Sequence, residues 1–363
     1  MSLLTTNYLT PTGREEAWRF TPLNRLGGLH DGSSTVVDRK SLTLKGVAPA
    51  GVTSTRVARE LVAVESQSDD VVVQRVQAES NDVLLIEIAA YAEVIEPIFL
   101  NRRAGGLNDA ELSRVRIALG ERSRATVVVE NAGEAILGED IEIVLESGSS
   151  LKFVTLQEWS NGSVHAARHH AIIGRDASFQ SITVTVGGSL VRLLPTVEFT
   201  GSGASAQLLG VYFATAGQYF EHRIHIDHGV PRAKSRVNFK GALSGDQAHT
   251  VWIGDVFIRA AAEGTDTYEL NRNLLLSDGA RADSVPNLEI ETGEIVGAGH
   301  ASTTGRFDDE QLFYLMSRGI PMDEARRLVV RGFFSEIISQ IQDDIIEDRL
   351  MSRIDFELSK AGQ

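Results

Sequence analysis

From Ala110 onward the apolar positions fall into short runs instead of helical stripes. Val115-Arg-Ile117, Ala125-Thr-Val-Val-Val129, Ile141-Glu-Ile-Val-Leu145, Leu151 to Leu156, Phe179 to Val186 and Ala206 to Phe213 are rich in β-branched and aromatic residues and free of proline. Each predicts a strand. Further runs at Arg236 to Phe239, Val251 to Ile253, Val256 to Ile258 and Leu288 to Ile290 follow without a helical interruption. Glycines recur in the gaps, at Gly120, Gly148, Gly174, Gly201 and Gly229, an interval of roughly 27 residues that suits a stacked solenoid. The pattern predicts a mainly β chain with a β-helix (solenoid) core of two strands per coil over residues 110–306. A sandwich or barrel is the other arrangement that many short strands allow.

The flanks read differently. Residues 1–109 form a mixed helical and irregular region. Thr12 is placed to cap a short helix with Glu15 and Glu16 at its positive end and Trp18 facing inward, stopped by Pro22. Val83-Leu-Leu-Ile86 reads as a buried strand, and Leu42-Thr-Leu44 as an irregular one. At the other end, the small residues from Gly297 to Gly305 leave one imidazole, His300, with little neighbouring bulk. Asp308 and Gln311 have the spacing of a capping box, with Leu312, Phe313, Leu315 and Met316 at helical intervals before Gly319. A second helix starts at Pro321 and carries Leu328, Val329, Phe333, Ile337, Ile338 and Ile341, and a third runs from about Asp344 to Lys360. Residues 307–363 therefore predict a C-terminal helical domain with more apolar surface than so short a bundle buries alone. Part of it should cap the β-body, as the N-terminal helix would at the other end, and part should dock a partner.

Charge and composition then narrow the chemistry. A formal charge of −14 with no basic run argues against nucleic acid and anionic membrane as partners. No segment has the length of a membrane span and the first residues lack a secretory pattern, so the expected location is cytoplasmic. There is no cysteine, so thiolate ligands must come from another chain. Histidines cluster as His165, His169 and His170, and as His222, His225 and His228. In a strand, His222 and His228 would share a face with Ile224 and Ile226, while His225 and Asp227 share the other and could touch one metal if a third ligand came from a neighbouring strand. Histidines on a solvated or interface face are the commoner outcome. Glu289 and Glu291 alternate with Leu288 and Ile290 as a strand's outer face, and neither a nucleotide-cradling Gly-Lys-Ser/Thr loop nor a GxSxG elbow is present.

The stretch Gly299-His300-Ala-Ser-Thr-Thr-Gly-Arg-Phe-Asp-Asp-Glu-Gln-Leu-Phe-Tyr-Leu-Met-Ser-Arg-Gly-Ile320 resembles the signature of the SufB/SufD family of iron–sulfur cluster assembly proteins. Asn271-Arg-Asn-Leu-Leu-Leu276 with Ala282 to Ile290 is similar to the segment before it, and Gly13 to Leu23 resembles the SufD branch. Where the family often shows Ser-His-Gly-Ala, this chain has Gly-His-Ala-Ser, which moves the glycine across the imidazole. The resemblance implies a right-handed parallel β-helix and a non-catalytic scaffold subunit pairing with a SufB-like subunit and docking a SufC-like ABC ATPase, or pairing with a second copy when isolated. It also implies that His300 is a ligand to a transient iron–sulfur cluster shared with the partner, and that the C-terminal stripe Leu328, Phe333, Phe334 and Ile337 meets the ATPase. A polysaccharide-active β-helix enzyme and a histidine-based metal enzyme at His222, His225 and His228 are the alternative readings.

Overall fold

The computed structural model describes residues 8–306 and 309–361. The N-terminal part contributes strands β1 (Leu42–Leu44) and β2 (Val52–Ala58), helix α1 (Val71–Glu79), and strands β3 (Asp82–Ile88) and β4 (Ile98–Ala104). Then come β5 (Ala110–Leu119), β6 (Arg124–Gly133), β7 (Ile136–Leu145), β8 (Ser150–Trp159), β9 (Val164–Ile173), β10 (Ser178–Thr185) and β11 (Leu190–Phe199). The run continues through β12 (Ser205–Ala214), β13 (Tyr219–His228), β14 (Lys234–Leu243), β15 (His249–Ile258), β16 (Asp266–Leu275), β17 (Arg281–Ile290) and β18 (Gly297–Arg306). Helices α2 (Asp309–Ser317), α3 (Met322–Ile338) and α4 (Asp344–Ala361) close the chain.

From β3 on, successive strands alternate between two sheets. The even strands stack in parallel from β4 to β18 with β1 antiparallel at the start, and the odd strands from β3 to β17 with β2 antiparallel at the start. This is the expected β-solenoid, of about 8 turns, and its parallel stack already begins at Asp82. Coil length grows along the stack: Asn131 is 26 residues from Gln157 on the next coil, whereas Ser235 is 32 from Thr267. The strands do not lengthen, so the surplus lies in the turns. Gly148 turns with φ +70°, and at Gly201 an added Cβ would overlap the backbone of Arg175 in the turn below.

Strands read as continuous apolar runs because both faces of each sheet are covered. Helices α3 and α4 lie along the outer face of the even sheet, where Val330, Phe334, Ile337, Ile338, Ile346, Leu350 and Ile354 pack on Val154, Ile182, Val184, Leu209 and Val211. Arg349 anchors them through Glu130 and Glu158 at 2.7 and 3.0 Å, and Lys240 through Glu336 at 2.6 Å. On the odd sheet, Trp18, Leu26, Leu29, Val72 and Val76 cover Leu112, Ala166, Leu190, Val251 and Ile253.

Several expectations are corrected. The Thr12 segment forms turns, because the Glu15 carboxylate accepts the Thr12 N–H at 3.0 Å and its hydroxyl at 2.9 Å, closing the cap on itself beside Gly13 at φ +82°. Trp18 is nevertheless buried, with the Arg192 guanidinium 4.0 Å above its ring. Helix α1 was hidden by Val71-Val-Val73, a β-branched run that lowers helix propensity; the Asp70 carboxylate accepts from the Val72 and Val73 N–H groups, and tertiary burial does the rest. The two runs 251–253 and 256–258 are one strand, β15, and the small-residue segment 297–306 is strand β18. The helical tail lies on the flank and leaves the last coil uncovered, because its apolar stripe matches the outer row of the even sheet. The Asp308 cap and the first residues of the chain lie outside the described residues. Among those described, no helix is long and apolar enough to cross a membrane.

The lumen is polar along one row. In register across the even sheet stand Arg102, Asn131, Gln157, Thr185, Tyr212, Gly241, Asn273 and Thr304. Near its start Arg102 pairs with Glu139, which also lies 3.3 Å from His165 Nε2, all three fully buried. Burial alone would push the Glu139 carboxyl up, but the Arg102 guanidinium and the His165 ring outweigh it and hold it below the usual range. Removing one member leaves an uncompensated buried charge, so Glu139→Ala should cost ~3–5 kcal/mol in urea unfolding, whereas a Glu139→Leu/Arg102→Met double variant should recover most of that loss. Burial also lowers His169 to about 4, His222 to about 3 and His228 to about 4. Folding therefore favours the neutral rings, and that stability is complete above pH 6.5 and drains as pH falls through 4, where the unfolded chain takes up protons that the folded one refuses. Melting temperature should fall steadily from pH 7 to pH 4. His169→Phe, which removes a ring with neither nitrogen partnered, should flatten that slope by an amount on the order of 2 kcal/mol at pH 4.

Candidate functional site at the open end of the solenoid

The last coil differs from the others. Strands β17 and β18 end their sheets, so among the described residues one side of each has no neighbouring strand and its backbone groups are free to pair. Residues that would be sealed in an interior coil are partly or largely uncovered here, including Ile290 at 44% and Val296 at 75% exposure. Ala282, Leu288 and Ala298 are only partly buried against the core.

His300 sits on β18, exposed, on the row that faces the lumen. Its in-register neighbour on β16 is Glu269. Next along the same faces, Ser302 aligns with Asn271 and Thr304 with Asn273. Asn271 Nδ2 donates to Tyr212 Oη at 2.9 Å and to the Phe239 carbonyl at 3.2 Å. Tyr212 Oη donates to Asn273 Oδ1 at 2.6 Å, Asn273 Nδ2 to Asn271 Oδ1 at 2.7 Å, and Ser284 Oγ to the same Oδ1 at 2.9 Å from β17 of the opposite sheet. The two sequence segments quoted as one signature, 271–276 and 282–290, thus meet across the lumen directly beneath the open end. Glu269 itself is fully buried with no partner for either oxygen, and desolvation, helped by the Asp255 charge, pushes its carboxyl up to about 8.

The chain alone offers no complete ligand set here. It has no cysteine, and among the described residues no group of three histidine, aspartate or glutamate side chains is placed to hold a metal ion. An exposed imidazole on a pairing edge can supply one nitrogen to a centre whose remaining ligands arrive from a second chain.

The other sequence candidates go elsewhere. Alternation in β13 is as expected, with His222 and His228 inward beside Ile224 and Ile226 and His225 outward with Asp227. His222 Nε2 lies 3.1 Å from Thr185 Oγ1 and its ring stacks on Tyr212 at 5.1 Å, while His228 Nε2 meets Ser235 Oγ at 2.9 Å. A metal site uniting His222, His225 and His228 is therefore ruled out by strand geometry. His170 and His225 do come together in one outward row on either side of Thr196, in a cleft of about 590 Å³ against the loop 66–70. Its Asp70 and Asp227 are paired with Arg192 and Arg259, and Asp69, Glu198 and Asp255 also line it. In the C-terminal stripe, Leu328 is exposed and Phe333 half-buried, but Phe334 and Ile337 are sealed against the even sheet, so these two are core positions and not an outward docking face.

Comparison with known proteins gives one consistent result. Residues 101–333 match the family model described as SUF system FeS cluster assembly, SufBD core domain. The chain is 46% identical to an iron–sulfur cluster assembly SufBD family protein of Mycobacterium tuberculosis, covering 96% of this chain and 89% of the relative. It is 25% identical to the iron–sulfur cluster assembly protein SufD of Escherichia coli (95% and 88% covered) and 27% identical to the chloroplastic protein ABCI7 of Arabidopsis thaliana (75% and 60%). With its solenoid, its open terminal coil and a match spanning most of that solenoid, the chain belongs to the SufBD family of iron–sulfur cluster assembly proteins.

Proposed function

We propose that this chain is the SufD-like, non-catalytic scaffold subunit of a SufBCD-type assembly complex working in the cytoplasm. Its open terminal coil pairs with a SufB-like subunit, and its C-terminal helices dock a SufC-like ABC ATPase. The observation that carries the reading is His300: an exposed imidazole on the unpaired edge strand of a thiol-free chain. The cargo is a nascent iron–sulfur cluster. A neutral imidazole completes a site whose thiolates the partner provides, and mixed ligation suits a cluster that must later leave. The binding edge is built from backbone as well as side chains, since strand addition to an open sheet draws affinity from main-chain hydrogen bonds.

His300→Ala should leave complex assembly intact while abolishing cluster accumulation, read from the visible absorbance and iron content of the co-purified complex; wild-type accumulation would refute the assignment. For the ATPase, the outward apolar side chains of α2 and α3 include Phe313 at 74%, Met322 at 46% and Leu328 at 45% exposure. Phe313→Asp and Leu328→Asp should weaken ATPase binding at least about tenfold without lowering the melting temperature, as expected where a few apolar anchors carry an interface. Phe334→Asp should instead destabilise the fold by detaching α3 from the even sheet.

A further inference from the structure

Glu269 is the one carboxylate among the described residues with both oxygens buried and neither partnered. It belongs to a lumen-facing row that reads, coil by coil, Ile98, Val127, Phe153, Ser181, Leu208, Val237, Glu269, His300. The row is apolar, Ser181 apart, until its last two members. Across the lumen the fold makes room for the acid: a Cβ at Gly254 would overlap Glu269 Oε2 and crowd the Trp252 ring at 2.5 Å. An apolar side chain in that space would be cheaper to bury than a carboxyl group with no hydrogen bond, so stability does not account for the residue.

Its environment names the missing partner. Val237 lies on one side in register and His300 on the other, one strand spacing of about 4.8 Å away. Among the described residues no donor or cation hydrogen-bonds either oxygen of Glu269, and the direction in which the stack is unfinished is that of His300. Resting on the cluster-ligand reading above, we propose that Glu269 is the positioning residue for His300. Once a partner covers the last coil, the carboxyl group accepts the imidazole N–H, fixing the tautomer and aiming the opposite nitrogen out of the lumen at the metal. Metal-bound histidines are commonly held by a carboxylate in this manner, and loss of such a partner lowers metal affinity about 10–100-fold. Glu269 is not itself placed to reach the metal, since it is fully buried one strand inside the edge that His300 occupies.

The test uses the complex purified with its cluster and ¹⁵N-labelled histidine, comparing wild type with Glu269→Met, Glu269→Gln and His300→Ala. Pulsed EPR of the reduced cluster reads the imidazole coupling, and iron retained against a chelator reads affinity. Glu269→Met should keep or raise the melting temperature, broaden the imidazole coupling and retain iron at least about tenfold less well, whereas Glu269→Gln, whose carbonyl still accepts the N–H, should stay within about threefold of wild type. Unchanged coupling and retention in Glu269→Met would overturn the role of Glu269 alone, as would a Glu269→Gln as defective as Glu269→Met or a loss that tracks a fallen melting temperature. A wild-type complex with no imidazole coupling, indistinguishable from His300→Ala, would instead overturn His300 as a ligand and carry this inference with it.

Discussion

Every backbone N–H and C=O in a parallel stack is satisfied by the coil above or below, and this single constraint shapes the whole chain. A solenoid obeying it has two ends, each a row of unpaired groups. At the start the chain closes them itself, folding β1 and β2 back antiparallel onto β4 and β3. At the finish no described strand folds back in this way, and helices α3 and α4 run along a side wall. The imidazole, the asparagine network and the orphan carboxyl group all gather at that unfinished end.

The lumen tells the same story from inside. An apolar filling would be easier to build, yet Arg102 and Glu139 form an enclosed ion pair beside His165 near the start, and a polar row continues from it to Thr304. Most of these groups answer one another, and the histidines that do not are kept neutral by burial. Glu269 breaks the pattern because no described residue partners either of its oxygens. Asn271, Asn273 and Ser284 tie the two sheets together just below the end, which gives the edge strands a rigid floor.

Much of this was legible in the sequence, for physical reasons that differ from element to element. Runs such as Leu151 to Leu156 announced strands because both faces are buried, and the glycine interval announced coils because some turns have no room for a Cβ. His222 to His228 alternated as a strand must. What could not be read were features set by distant partners. Helix α1 is held by Asp70 and by contacts with β5 and β7 that override three valines, and Trp18 is buried without the helix that would have put it there. The glycine-rich β18 has poor strand propensity and is ordered by its register with β16. Alternation through Thr267, Glu269, Asn271 and Asn273 does carry a signal, acids and amides on a lumen face, but only the orientation of the coil tells which face that is.

Helices α3 and α4 bridge strands β6 to β14 with fully buried side chains, and what packs on them from β16 is the partly buried Leu274. They act as a splint over most of the solenoid and release their grip one coil short of its end. Coil-by-coil fraying, which nearest-neighbour stacking otherwise permits anywhere, is thereby confined to β17 and β18. Their amides should be the first in the solenoid to exchange with solvent, leaving the open end able to adjust while the body behind it stays rigid.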